Sequence, residues 1–499
     1  MPSDPDPAKR AASSRRWRSA WRIHFYSGMF AIPFLILMSL TGLVILYTQP
    51  IQDATQGNLR KVDVGTKAVS YDRQVAAVER AYPKFAALSL TVPNEPSRAT
   101  IVAVDDGSTY GREVYVDPYT AKVLGSQDAG SGIVPLSNRL HGTLNNDTFE
   151  VSLPNAAFLF DDGPVVRRFS VGDMVLEVLG IWTLVLVVTG LFLFWPRKSA
   201  SSAGSKGERK LLGVRWKAKG RARIRDLHGL GGLVLFGLLL LTLVSGMFWS
   251  SYWAATYGAF AEKATPGSVV EAPASTPATR GDLDRLGNHI PWDTGSFPIP
   301  ASYQPAESNG SAPRPLAIDD VAAIAEREGM KPGYTISFPA NEADEAGNTT
   351  YGSFTVSNSW PRKTSEAKDL FLDQFTGKTL ATQDVYGYGT LQRGSDTLVS
   401  VHMGTQLGLA SRIAMTVLCV LTLWSAISAL TMFWRRRRPG TLGLPRRPVD
   451  VKLERAALVV AVAIGIIYPL WGLTALVIFG IDRFVIRKVA PLRRTFGQA

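Results

Sequence analysis

WRIHFYSGMFAIPFLILMSLTGLVILY, residues 21–47, decides the fold class. From Phe30 to Tyr47 it carries no charge, and with its flanks it is long enough to cross about 30 Å of hydrocarbon. The same design returns in RDLHGLGGLVLFGLLLLTLVSGMF, 225–248, and two further apolar stretches run from about Met174 to Trp195 and from about Ile413 to Trp434. A fifth, 456–482, is interrupted by Pro469. Mean hydropathy near zero conceals these runs, because two long polar regions, 49–173 and 251–400, lie between them. The chain therefore reads as an integral membrane α-helical bundle of four spans plus a broken fifth hydrophobic segment, carrying two outer α+β domains.

Basic residues set the expected orientation. Lys9, Arg10, Arg15, Arg16, Arg18 and Arg22 precede the first span. The short loop after the second holds eleven basic residues against Glu208 and Asp226, and Arg435–Arg438 open the loop after the fourth. By the positive-inside rule these segments lie in the cytoplasm, so the N-terminus is inside and both long polar regions are extracytoplasmic. The net charge of +13 is then an anchoring signal, and nucleic-acid binding is not expected. The first span reads as an uncleaved signal anchor, since no small-residue cleavage site follows it. The resulting division is a basic tail 1–23, span 24–48, outer domain 49–173, span 174–196, loop 197–225 and span 226–250. There follow outer domain 251–400, the outer approach and span 401–434, loop 435–455, the fifth segment 456–482 as span or hairpin, and a basic tail 483–499. Arg487, Lys488, Arg493 and Arg494 in that tail argue for a cytoplasmic C-terminus, which a single span would not give and a hairpin broken at Tyr468-Pro469 would, and the path of the segment stays open.

The two halves follow one plan, a parallel internal repeat. LFLFWPRK (191–198) closes the first and LTMFWRRRR (430–438) the second. In the outer regions, 71–93 resembles 318–339, a helix and then an alternating strand, and GREVYVDPYTAKVLG (111–125) resembles KDLFLDQFTGKTLA (368–381), two strands about an Asp turn. A Pro-, Ala- and Ser-rich insertion, 264–315, occurs only in the second half.

Four of the five histidines occupy matching places in this plan. His24 and His228 open spans one and three, whereas His141 and His402 stand on the approaches to spans two and four. Imidazoles in two layers of a bundle are what two b-type haems require, with His24 and His228 as axial ligands of the inner and His141 and His402 of the outer. Gly28, Gly231, Gly232, Gly142 and Gly404 would admit a flat macrocycle, and Arg22, Arg225 and Arg139 are candidate partners for its propionates. Met403 is a rival ligand to His402, and His289 in the second outer region has no counterpart. A zinc site would need its ligands in one tetrahedron and fits two separated layers poorly. Cys419 alone cannot build an iron–sulfur cluster or a covalent haem link, and no hydrolase triad, P-loop or dinucleotide-binding motif is evident.

WRIHFYSGMFAIPFLILMSLTGLVILY, the VYVDPYTAKVLG and LFLDQFTGKTLA segments, LHGTL at 140–144, VHMGTQLGL at 401–409 and the YPLWGLTALVIFGIDR tail together resemble PepSY-associated transmembrane proteins over nearly the whole chain. The resemblance implies PepSY-like outer domains and, as in bacterial inner-membrane iron–siderophore reductases, two haems ligated by His24, His228, His141 and His402. Electrons from a cytoplasmic reductant or a membrane quinol would then pass outward to a ferric siderophore, with no side chain acting as catalytic acid or base. A rival expectation is an anchor whose outer domains bind or restrain secreted peptidases without redox activity. This chain departs from the family pattern at Ala121, where a glycine is usual, and in the 264–315 insertion.

Overall fold

A computed structural model describes residues 7–146, 148–195, 214–217, 220–267, 274–279, 283, 298–303, 314–345, 347, 349–358, 362–437, 442–444 and 451–496. In chain order its main elements are α1 (Pro7–Leu46), α2 (Tyr71–Ala81), β1 (Ala86–Thr91), β2 (Thr100–Asp105), β3 (Arg112–Val116), β4 (Val123–Asp128), α3 (Ile133–Thr143) and α4 (Val171–Phe194). The second half supplies α5 (Arg221–Met247), α6 (Ser251–Ala264), α7 (Ile318–Arg327), β5 (Tyr334–Ser337), β6 (Ser353–Asn358), β7 (Lys368–Asp373), β8 (Thr379–Asp384), α8 (Thr390–His402) and α9 (Leu409–Arg436). A tail of α10 (Val451–Ile467) and α11 (Pro469–Ile481) follows.

Among the described residues five helices are long and apolar enough to cross a membrane: α1, α4, α5, α9, and α11 with its continuation to Ile486. The first four form a ring in which α4 and α9 each pack against both α1 and α5, so α1 and α5 stand on opposite corners. Helix α1 begins far ahead of the expected start at 24, because the Arg-rich segment before it has no breaker and continues the same helix. The fifth segment folds as a hairpin. Tyr468-Pro469 makes the turn, where proline tolerates the first helical position but could not continue α10. The arms cross so closely that a Cβ on Gly472 would lie 2.8 Å from Gly465 Cα. Trp471 packs on Trp182 of α4 at 5.3 Å between ring centroids, and Trp182 Nε1 donates to Thr474 Oγ1 at 3.3 Å. The chain then returns to the end of the bundle where α1 begins: Arg22 donates to the Phe496 carbonyl at 3.0 Å.

The two outer regions, expected as two α+β domains, share one antiparallel eight-stranded sheet in the order β8-β7-β6-β5-β1-β2-β3-β4. Its centre is the β1–β5 pairing, with Leu90 opposite Ile336, Ser89 opposite Ser337 and Thr91 opposite Thr335. One face presents Leu90, Val102, Val114, Ile336, Val356 and Leu370 to Val75 and Val78 of α2 and Val321 and Ala325 of α7 in a single core. Each large apolar side chain of this core contributes about 1.5–3 kcal/mol when fully buried, and both halves supply such residues. The helices also cap each other. Asp319 accepts from the Tyr71 N–H at 3.1 Å, and Asp72 accepts from the Ile318 N–H at 3.2 Å.

The Asp turns explain the departure at Ala121. This alanine has φ +58°, and the corresponding Gly377 of the second half has φ +69°. A left-handed alanine costs about 1–2 kcal/mol, part of which glycine returns through its freer unfolded chain. We expect Ala121→Gly to raise stability by roughly 0.5–1 kcal/mol. Gly377→Ala should lower it by more, since the new Cβ would also lie 2.7 Å from Ile324 Cδ1. Thermal unfolding of the two variants in detergent, followed by circular dichroism, checks the opposite signs.

Candidate functional site

The four histidines of the repeat plan sit at two levels of the helical ring. His24 on α1 and His228 on α5 stand on the diagonal corners of the ring. His141 on α3 and His402 on α8 are closer to the sheet, with ring centroids 6.3 Å apart and planes at 86°. Two imidazoles bound axially to one metal through bonds of about 2 Å place their ring centroids roughly 6 Å apart, so this pair already has the separation of a bis-imidazole site.

Each ring is held through Nδ1. His24 Nδ1 lies 3.0 Å from the Leu186 carbonyl and 3.3 Å from Thr189 Oγ1. His228 Nδ1 lies 2.9 Å from Ser428 Oγ, and His141 Nδ1 2.8 Å from Thr41 Oγ1. His402 Nδ1 meets both the Thr242 carbonyl and Ser245 Oγ at 3.0 Å. The hydroxyls of Thr41, Thr189, Ser245 and Ser428 also donate to backbone carbonyls of their own helices, which leaves their lone pairs to accept from Nδ1–H. That fixes the tautomer with Nε2 as the free base, the form in which histidine ligates a metal. Burial, and for His141 the neighbouring His402, pushes His141 down to about 3, while burial pushes His402 down to about 4, so both outer imidazoles are neutral near pH 7. Room is kept by glycines: a Cβ at Gly42 or Gly246 would lie 3.6 or 3.2 Å from Cε1 of His141 or His402, and one at Gly190 3.0 Å from Cε1 of His24.

A cavity of about 1830 Å³ runs from Phe34, Met38, Leu239 and Met415 inside the ring, past His141 and His402, to the underside of the sheet. His141 and His402 line this cavity and could hold a haem between them; His24 and His228, which do not line it, could as a pair ligate a second. Among the described residues no group of three or more His, Cys, Asp or Glu is assembled to hold a metal ion by itself. Of the expected propionate partners, Arg139 lines the cavity, Arg22 is buried against Tyr26 and Phe496, and Arg225 is half-exposed beside Asp226. Met403 lines the cavity beside His402. Gly142 and Gly404 follow His141 and His402, and Gly28, Gly231 and Gly232 lie one turn beyond His24 and His228. His289 lies outside the described residues.

The supporting hydroxyls are the part missed in the sequence, though a signal was present. Thr41 follows His24 by 17 residues and Ser245 follows His228 by 17; Thr189 and Ser428 each precede the closing tryptophan of their span by six. Two buried carboxylates at the head of α4 were also missed. Asp173 accepts from the Ser251 N–H and Glu177 from the Trp253 N–H at 3.0 Å, together capping α6.

Fold and site define a multi-pass helical membrane protein with a sheet-bearing region at one end of its helical ring and a histidine-lined interior. The family model describing the PepSY-associated TM region matches residues 21–436, and the chain belongs to that family. No curated protein matches it.

Proposed function

We propose that this protein is a di-haem oxidoreductase of the bacterial plasma membrane that reduces an extracytoplasmic ferric chelate, an iron–siderophore reductase. The observation that carries this reading is the His141–His402 pair, 6.3 Å apart, anchored through both Nδ1 atoms and opening into the cavity under the sheet. Bound haem would supply one-electron redox chemistry. The chain's own work is to present Nε2 of His24 and His228 at the inner level and of His141 and His402 at the outer, to exclude water with the apolar ring, and to hold the chelate beneath the sheet. The palindromic sheet and the shared spacing of histidines and hydroxyls support two parallel copies about an axis along the membrane normal. The basic segments at the His24 end support a cytoplasmic N-terminus. Outward movement of an electron is favoured by about 2.3 kcal/mol per 100 mV, inside negative. The donor would be a cytoplasmic reductant or a membrane quinol.

The test is direct. Dithionite-reduced protein, freed of excess reductant under argon, is mixed with a ferric trihydroxamate and an Fe(II)-specific chromophore. Fe(II) should form in step with reoxidation of the protein; no Fe(II), with the protein staying reduced, would sink the reading. Thr41→Val keeps side-chain shape but removes the partner of His141 Nδ1. It should weaken haem retention at the outer level by roughly 10–100-fold, read by transfer of haem to apomyoglobin, with the thermal transition of the sheet unchanged.

A further inference from the structure

The outer pair of imidazoles is crossed: the planes of His141 and His402 stand at 86° to one another. Hydrogen bonds through Nδ1 do not fix that angle by themselves. His141 is anchored at Thr41 Oγ1, and His402 at the Thr242 carbonyl and Ser245 Oγ. The last torsion of a histidine side chain has a broad minimum, so a ring can still swing about its anchored atom. On the His402 side there is a second contact. The indole of Trp249 meets the His402 ring edge to face, with centroids 5.8 Å apart and planes at 81°. This is the arrangement in which the positive edge of one ring is attracted to the negative face of the other. Trp249 is held in turn, because its N–H donates to the Gly246 carbonyl at 3.1 Å where α5 closes. The spacing that matches Thr41 with Ser245 puts Ile45 at the corresponding place in the first half. Both Ile45 and Trp249 line the cavity, so the pair has an aromatic wall on the His402 side and an aliphatic one at Ile45.

We propose that Trp249 is a positioning residue that locks the His402 ring crosswise to His141 and thereby raises the potential of the outer haem. The proposal rests on the haem reading of this pair. An axial imidazole donates from its π system into the iron orbital that lies across its ring plane. Two parallel rings act on one such orbital and split it from its partner, which favours the ferric state. Crossed rings act on one orbital each and leave the two nearly equal, so that advantage is lost and the potential rises. The chain therefore tunes the site through the orientation of a ligand as well as its identity. An outer level of raised potential draws electrons from the His24 and His228 level towards the sheet.

The test is electron paramagnetic resonance of the full-length, haem-loaded, oxidised protein, with the outer level isolated in His24→Ala. A crossed pair gives one low-spin feature at very high g and broadens the others away, whereas a parallel pair gives three resolved features. The crossed form is expected with Trp249 in place, and Trp249→Phe, which keeps an aromatic face, should preserve it. Trp249→Leu should convert the signal to the three-feature form and lower the midpoint potential, with haem per chain unchanged. Ile45→Leu should alter neither. A three-feature signal with Trp249 in place would overturn the proposal. So would a Trp249→Leu protein whose signal and midpoint match its parent, or a Phe variant that behaves as the Leu variant does. These readings need no chelate and no turnover. A protein without haem at His141 and His402 loses the reductase reading, whereas one with haem there and a three-feature signal loses only the role of Trp249.

Discussion

A His402→Ala variant is expected to keep one b-type haem per chain and to lose chelate reduction by about a hundredfold or more. His402 is buried against Thr242 and Ser245 and faces His141, so on the proposed ligation its truncation would remove one axial base and leave the other without its opposite number. Substitution by Met tests ligation rather than packing. A thioether can bind haem iron and raise its potential, so His402→Met should retain the second haem, with a shifted potential, where His402→Ala loses it. Pyridine haemochrome and a potentiometric titration report both results. Equal haem content in His402→Ala and wild type would remove His402 from the ligand set.

The second large effect is expected at the other level. His24→Ala should also leave one haem per chain, but the retained one is the outer. The variant therefore separates holding cofactor from passing electrons through the bundle. Chelate reduction by dithionite, which reaches the outer end directly, should survive within about twofold, whereas reduction driven from the N-terminal face of sealed proteoliposomes should fall to the level of empty vesicles. The separation arises because His24 is fixed to Leu186 and Thr189 near the basic end of the ring, away from the cavity that contains His141 and His402. Parallel loss in both assays would mean that the two levels do not act in series.

Much of this organisation could be read from the residues, and the reasons differ by element. The long helices were legible because uninterrupted apolar runs have one solution in lipid. The strands of the outer region were legible because VYVDP and LFLDQ alternate about an Asp turn, and β3 and β7 form there. The joining of the two outer regions was not. Pairing of Leu90 with Ile336 is non-local, and nothing in either strand names its partner across an edge. The fifth segment stayed open because Tyr468-Pro469 can kink a helix or end it; the Gly465–Gly472 contact decides for a hairpin. The histidines stood out because the chain has five and four fall into register. Their hydroxyl partners did not, since a threonine or serine in a span is ordinarily satisfied by its own helix. Arg22, a candidate for a propionate, is committed to Tyr26 and the Phe496 carbonyl, a contact created by the hairpin bringing the chain back.

The central claim is that these four histidines hold two haems, and the most direct test is a haem count. Wild-type protein expressed with haem available and purified in mild detergent is assayed by pyridine haemochrome against quantitative amino-acid analysis, with oxidised and dithionite-reduced visible spectra on the same sample. The expected result is two b-type haems per chain with low-spin bands, one lost on substitution of either His141 or His402 and the other on substitution of either His24 or His228. A colourless protein, or one whose haem content is indifferent to all four substitutions, would contradict the account.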